Sequence, residues 1–577
     1  MLMREVSEAF AALEATTKRL EMTRILGDLF GQASADEVDK IIYLLHGRVG
    51  PPFEAVEFGV DERLLLRALA AACDRPIGEV EREYRHTGDV GAAGEILLSQ
   101  QGRDLSVSDV FERLRAIAEA TGPGSQERKV SLTRDLLRQL SSLSVRYVIR
   151  IIQGKLRLGV GEATEMDALS WSVAGDASLR PSLERAFNLC SDLGLVARVL
   201  KAEGPTALER FEPQPGHPIR AELAERLSTP AETIAKLGCV QAEPKYDGVR
   251  LQLHKAGVQV WFFTRRLENV TPMFPELARA ALRQIRADEV IIDGEAVVYN
   301  PETGEFVPFQ TTVRRKRKYG IEEMEARYPL RFFAFDLLFA DGRDLTTAPL
   351  AERRQELEAV IGREPDDPIQ VTEYLVTCDP VEAERFFQEM VGRGLEGILA
   401  KRPEAPYQAG QRNFTWVKLK RAYRSELRDT VDVVMVGYLL GKGKRARFGI
   451  GSLLGAVYDP EQGRFRTVSK IGSGLTDEEW VELRRLLDES RTERKPSAVE
   501  SIIEPDVWVE PRYVIEVQAD EITRSPMHTA GKVDGQPGYA LRFPRMVRFR
   551  FDKAPEDATT ELEIIQMYER ARAPSRE

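Results

Sequence analysis

A chain of 577 residues with 43% hydrophobic side chains is several times longer than one ordinary domain, so roughly two to four separately packed domains are expected. Its formal charge of -10 means that phosphate contacts would have to come from local basic clusters, of which "RRKRK" (Arg314 to Lys318), "WVKLKRAYR" and "LRFPRMVRFRFDK" are the clearest. No run of roughly 18 apolar residues appears and the N-terminus "MLMREVSEAFAALEATTKRL" is charged and amphipathic, which excludes a membrane span and a secretory signal and places the expected protein in the cytoplasm, or in the nucleus of a eukaryote.

From the start to about residue 210 the pattern is helical. "SADEVDKIIYLL" opens with a capping box, Ser34 with Glu37, and spaces Val38, Ile41, Ile42 and Leu45 along one apolar stripe. "DERLLLRALAAAC" and "TRDLLRQLSSL" read the same way. Prolines and a glycine in "FEPQPGHPIR" interrupt this pattern before it changes to period two, so an all-α domain is placed at 1-212.

Beyond that break, "VRLQLHK", "VQVWFFTRR", "EVIIDGEAVVYN" and "RFFAFDLLFADG" are strand-like runs, with helical "PELARAALRQIR" and "PVEAERFFQEMV" between them. This predicts a mixed α+β domain at 213-424. Over 425-577 the strands become short and closely spaced, in "VDVVMVGYLL", "GSLLGAVYD", "GRFRTVSKIG" and "RYVIEVQADEIT", with one helical insert, "TDEEWVELRRLLDE". A small Greek-key barrel of the OB type and a small sandwich both give that rhythm.

Cysteine and histidine offer little chemistry. Cys73, Cys190, Cys239 and Cys378 form no CxxC pair, which argues against a zinc ribbon and against a disulfide framework, and none of the five histidines stands at a metal-ligand spacing. Attention falls instead on Lys245 in "AEPKYDGVR". Most loop lysines are simply solvated, and an ammonium with a reference pKa of about 10.4 is no nucleophile until nearby cations, a metal or burial disfavours its charged form.

The ordered series "KYDGVR", "FTRRLENVT", "DGE", "FFAFD", "GLEGILAK", "WVKLK" and "RFRFDK" resembles the successive motifs of the covalent nucleotidyltransferase superfamily, specifically ATP-dependent DNA ligases. "IIQGKLRLGVGEATEMDAL" is similar to the helical DNA-binding domain of the archaeal and eukaryotic replicative members, so the resemblance spans essentially the whole chain. It implies three domains: an all-α DNA-binding domain, an α+β adenylation domain and a C-terminal OB-fold barrel.

The same resemblance implies roles. Lys245 is the nucleophile that takes AMP from ATP. Asp247 orients it or holds a metal-bound water, and it also suits the turn before Gly248. Glu243 falls at the adenine, Arg250 and Arg265 supply planar forks for phosphate and ribose oxygens, and Glu295 contacts the ribose. Residue chemistry alone would equally make the acidic pair in "IIDGEAVV" a bulge with a buried hydrogen-bonded carboxylate. Phe335 stacks on the base, although without the motif order it reads as core. Arg412, Lys418 and Lys420 face the nucleotide, the two lysines sharing one side of a strand.

Arg550 and Lys553 orient the pyrophosphate leaving group and then withdraw, with residues Arg421 to Leu427 as hinge. Glu396, with Glu295 and Asp247, supplies oxygen ligands for Mg2+. Arg146, Arg150, Lys155 and Arg157 are candidates for sequence-independent contacts to nicked double-stranded DNA. A capping guanylyltransferase or RNA ligase shares the lysine chemistry but does not usually carry such a helical domain. An NAD-dependent ligase needs zinc-finger cysteines that are missing. A catalytically dead DNA clamp fits poorly with a retained lysine and metal carboxylate. A monomer is expected. In "SQQGRDLSVSDVF" the paired aromatics of a sliding-clamp motif are lacking, which speaks against that partner.

Overall fold

The N-terminal region is built from amphipathic helices that share one core. In the computed structural model, which describes residues 1–54, 56–98, 105–156, 158–299, 325, 328–362, 367–420, 430–441, 449–519, 521–533 and 536–572, α-helices follow one another from Met3 to Glu203. The basic run Arg314 to Lys318, Arg157, the hinge Arg421 to Leu427 and the first half of the clamp-like segment lie outside these residues. Ser34 and Glu37 form the expected capping box, the Ser34 N–H donating to Glu37 at 3.0 Å, and Val38, Ile41, Ile42 and Leu45 are buried. None of the helices, among the described residues, is long and apolar enough to cross a membrane.

The chain divides into two units. The first holds Met1–Glu225, Thr233–Leu395 and Leu399–Lys418, and the second holds Arg226–Glu232, Glu396–Ile398 and Leu419–Glu577. After the helices come β1 (Leu223–Arg226), β2 (Val240–Lys245), β3 (Val249–Ala256), β4 (Gln259–Thr264), β5 (Glu289–Val298), β6 (Leu330–Ala340), β7 (Arg343–Asp344), β8 (Ile369–Val371), β9 (Leu375–Thr377), β10 (Gly397–Lys401) and β11 (Arg412–Lys420). They make two sheets. One runs β1-β11-β10-β2-β9, the other β4-β3-β5-β6-β7 with β8 parallel to β6. Helices Pro275–Gln284 and Leu350–Val360 cover the second sheet, packing Leu277, Ala280, Ala281 and Leu357 on Leu251, Leu253, Ile292 and Leu337.

The opposite face of β3 is polar and equally buried, and it holds the segment that leaves the helices. The Gln252 carboxamide accepts from the Ile219 N–H at 2.7 Å and donates back to the Ile219 carbonyl at 3.1 Å. His254 Nδ1 accepts from the Gly216 N–H at 3.1 Å, so its proton lies on Nε2 and points at Gln252 Oε1, 2.9 Å away. Burial holds this imidazole neutral, its pKa pushed down to about 3.

The second unit contains β12 (Val431–Leu439), β13 (Ser452–Asp459), β14 (Arg464–Ile471), β15 (Arg491–Thr492), β16 (Val499–Glu500), β17 (Val507–Val509), β18 (Val514–Gln518), β19 (Glu521–Ser525), β20 (Gly538–Arg542) and β21 (Arg545–Phe549). Eight of them form one curled sheet, with β12, β13 and β14 adjacent and β18 joining β12 to β21. Register shifts at Met435/Gly437, Gly455/Ala456 and Glu516/Val517 bend the strands, which is how a sheet closes toward a barrel. The result is an OB-type half-barrel, and helix Asp477–Glu489 packs Trp480, Leu483 and Leu487 on its core.

One expectation fails. Cys239 and Cys378 are joined in a disulfide across a sequence separation of 139. The antiparallel register of β2 with β9 pairs Val240 with Thr377, so the residues just outside that pair stand opposite each other, a proximity that wide spacing along the chain conceals. Chain-entropy arguments make a cross-link over so long a loop worth about 5 kcal/mol, against about 2 to 4 kcal/mol for a typical disulfide. Thiol titration of the unfolded, unreduced protein is expected to detect only Cys73 and Cys190. Cys378→Ser should lower the melting temperature without reductant and change nothing in its presence; equal melting under both conditions would overturn the pairing.

Candidate active site

Alternation along β2 puts Gln241, Glu243 and Lys245 on one side of the strand. Glu243 is buried, and each of its carboxylate oxygens has a close donor in the protein, with lone-pair capacity to spare. Gln241 Nε2 donates to Oε1 at 2.7 Å, and Lys401 Nζ lies 2.7 Å from Oε2. Lys401, 0% exposed on β10, also donates to the Phe335 carbonyl at 3.4 Å and sits over the Phe335 and Trp416 rings at 4.6 and 4.2 Å. A charge buried this far survives only with such partners. Gln241 and Lys401 both donate, so Glu243 acts here as an acceptor.

Lys245 ends β2, half-buried. The turn that follows is anchored on both sides. Tyr246 stacks on Phe333 with centroids 4.1 Å apart, and burial pushes its phenol pKa upward. Gly248 faces β5 so closely that a Cβ would lie 2.4 Å from the Ala296 carbonyl oxygen and 2.9 Å from Glu295 Cγ. Only glycine lets the turn press against Glu295.

Within "IIDGEAVV" both readings of the acidic pair find a residue. The register of β5 on β6 shifts at Asp293/Gly294, and Asp293 is the buried, hydrogen-bonded carboxylate. Arg250 grips it through Nε at 3.1 Å and NH2 at 2.6 Å, NH1 donates to the Glu222 carbonyl at 2.8 Å, and the Tyr407 hydroxyl donates to Asp293 at 3.0 Å. Burial opposes the Arg250 charge, but Asp293 outweighs it and lifts the pKa above its ordinary value. Glu295 pairs with Arg250 across β3 and β5 and stays half-buried.

Arg265, at the exposed end of β4, has its pKa lowered by partial burial and by two like charges, Arg250 and Arg412. Three arginines whose fields repel one another at one place form a site that a polyanion would relieve. Phe335 is 9% exposed and meets Trp416 edge to face at 6.0 Å, so one edge of its ring belongs to the core. Trp416, Lys418 and Lys420 alternate with buried Val417 and Leu419 on β11, as the spacing predicts.

The first unit thus carries Glu243, Lys245, Asp247, Arg250, Arg265, Glu295, Phe335, Arg412 and Lys418, whereas Glu396, Lys420, Arg550 and Lys553 belong to the second. There, Lys420 Nζ is 2.8 Å from Glu396 Oε1, and Arg550 and Lys553 both reach Asp432. Among the described residues no cluster of three or more His, Cys, Asp or Glu side chains forms a ready-made metal cage. The carboxylates available suit Mg2+, which takes one or two protein oxygens and completes its shell with phosphates and waters.

Comparisons with known proteins bear on the whole chain. Residues 2–170 match the profile of the DNA ligase N terminus, 221–420 that of the ATP dependent DNA ligase domain, and 446–553 that of the ATP dependent DNA ligase C terminal region. A probable DNA ligase of Dictyoglomus thermophilum is 52% identical over 569 residues, covering 98% of this chain and 97% of its own. The chain belongs to the ATP-dependent DNA ligases. A DNA ligase of Sulfophobococcus zilligii is 42% identical over 591 residues, covering 99% of this chain and 97% of its own. Among solved structures, mycobacterial DNA ligase D complexed with ATP and MES matches at 26% identity and a TM-score of 0.31, covering 59% of this chain and 97% of that one. The ligase accordingly binds DNA, uses ATP and seals nicks.

In the helical region of the ligase, the three described residues among the basic groups singled out by sequence are already paired. Arg146 lies 3.3 Å from Glu95, Arg150 2.9 Å from Glu14 and 3.1 Å from Asp89, and Lys155 3.5 Å from Glu62. Sequence reasoning did not single out Lys401 or Tyr407, and it read Asp293 only as one of an acidic pair that could form a buried carboxylate. A signal existed for Lys401, which closes the quoted "GLEGILAK". Tyr407 has none, because the groups its hydroxyl binds, Asp293 and the Glu222 N–H, are more than a hundred residues away.

Lys401→Met leaves Arg354 NH1, 3.8 Å away, as the remaining counter-charge of the buried Glu243 carboxylate and should cost up to about 3 to 5 kcal/mol. Lys401→Met combined with Glu243→Leu should recover much of that. Urea unfolding followed by a probe in the adenylation domain checks it, and a single variant as stable as wild type would overturn the account of the pair.

Proposed function

We propose that Lys245 is the nucleophile of this ligase. Its neutral amine attacks the α-phosphate of ATP. The N–P bond forms as the bond to the leaving oxygen breaks, that oxygen keeps the electron pair, the amine proton passes to solvent, and AMP stays on the lysine. AMP then moves to the 5′-phosphate at a nick, and the 3′-hydroxyl displaces it to close the strand.

The observation that carries this reading is the placement of Lys245 at the end of a strand, two residues beyond a carboxylate paired with Lys401, before a turn that Gly248 presses against Glu295. Glu243, as an acceptor, suits the amino group of adenine, Phe335 gives the base a ring, and Glu295 holds ribose hydroxyls. Arg265, Arg412, Lys418 and Lys420 meet the phosphates. Arg250 supports them from behind through Asp293, more than as a direct phosphate ligand, because its donors are already committed. Arg550 and Lys553 orient the departing pyrophosphate.

Glu396, Glu295 and Asp247 would hold Mg2+, and when bound this ion neutralises charge on the phosphate oxygens. In all three transfers the protein's own work is to align the reacting groups and offset charge, so one set of side chains serves them all.

Incubation with α-labelled ATP and Mg2+ should label the protein, and a chase with nicked DNA should discharge it. Lys245→Ala should reduce labelling by more than about a thousandfold. Label that survives this substitution places the nucleophile elsewhere, and labelling that is undiminished by a chelator sinks the metal.

A further inference from the structure

Both cations assigned to the leaving group end on one side chain that no motif includes. Asp432, on β12, accepts from Lys553 Nζ at 2.6 Å and from Arg550 NH1 at 3.1 Å through the same oxygen, Oδ2, while its Oδ1 is 3.2 Å from the same NH1. The ammonium and the guanidinium are thereby held within a few ångström of each other. Asp432 is itself fixed. Val431 and Val433 on either side are core residues, its N–H reaches Thr559 Oγ1 at 2.9 Å, and its carbonyl accepts from the Thr559 N–H at 3.0 Å.

The other carboxylates nearby do different work. Glu516, opposite Asp432 across β12 and β18, is held by Arg548 at 2.6 Å and stands farther from Arg550, 3.9 Å from its NH1. Asp552 holds the far edge of Arg550 at 2.8 Å but is 65% exposed, against 12% for the Asp432 side chain. An arriving polyanion can displace a solvated partner far more easily than one built into a strand.

We infer that Asp432 is a positioning residue for lysine adenylation, holding Arg550 and Lys553 as a preset pair for the pyrophosphate. This rests on the leaving-group reading of those two residues. In the step concerned, the bond from Lys245 nitrogen to the α-phosphorus forms while the bond to the bridging oxygen breaks, and the charge that gathers on pyrophosphate is what the pair meets. Two long side chains gathered beforehand lose less freedom when it forms.

The test uses the full-length ligase with Asp432→Ala, Asp432→Asn and Asp432→Glu. Adenylation from ATP should slow by at least about tenfold in Asp432→Ala, and the concentration of pyrophosphate needed to strip AMP from the adenylated enzyme should rise by a similar factor. Sealing of a nick that already carries AMP involves no pyrophosphate and should stay within about twofold of wild type. Asp432→Glu should restore part of the loss, and Asp432→Asn, nearly isosteric, covers the case in which the alanine variant folds poorly.

Unchanged or faster adenylation in all three variants overturns the inference. So does an equal loss in adenylation and sealing, which would mark a purely structural role. If Arg550→Ala and Lys553→Ala adenylate normally, the leaving-group reading itself fails and this inference with it; if they are impaired while the Asp432 variants are not, only the inference falls.

Discussion

A single ammonium group, excluded from water, ties the adenylation domain together. Lys401 reaches Glu243 on β2, the Phe335 carbonyl on β6 and the faces of Phe335 and Trp416, so it bridges two sheets and their aromatic filling at once. Arg354 NH1 stands farther off, 3.8 Å from the other Glu243 oxygen, so Lys401 is the nearer of two buried cations that compensate this carboxylate. The strand that ends in Lys245 therefore owes its depth and its chemistry to the same interaction.

Much of the fold was legible in the sequence, because periodicity and turn residues report local structure directly. The Ser34–Glu37 capping box, the strands around "DGE" and the helical insert after Thr476 all stand where their patterns place them. What could not be read is pairing between distant segments. Cys239 meets Cys378, and Tyr407 meets Asp293, only because sheet registers bring them together. Within the site, residue types could not show the layer behind the nucleotide-facing groups: Arg250 reads as a phosphate fork on paper, and in the folded chain its Nε, NH1 and NH2 also hold Asp293 and the Glu222 carbonyl.

A chain of net charge -10 that handles nucleotides and DNA looks paradoxical until the cations are followed to their partners. Arg250 lies on Asp293, Arg353 on Asp336, Lys420 on Glu396, and Arg550 with Lys553 on Asp432. Each basic group comes with an acid that sets its direction, so the positive potential is delivered at chosen points and not as a broad field.

The disulfide between Cys239 and Cys378 closes a covalent ring around nearly the whole catalytic half of the adenylation domain. Lys245, Arg250, Asp293, Glu295 and Phe335 all lie inside it. A single cut of the backbone within that ring would leave no loose fragment: the two ends would remain one molecule, held at the strand pair that ends in Lys245. Topologically, an enzyme that closes breaks in another polymer is insured against one in its own.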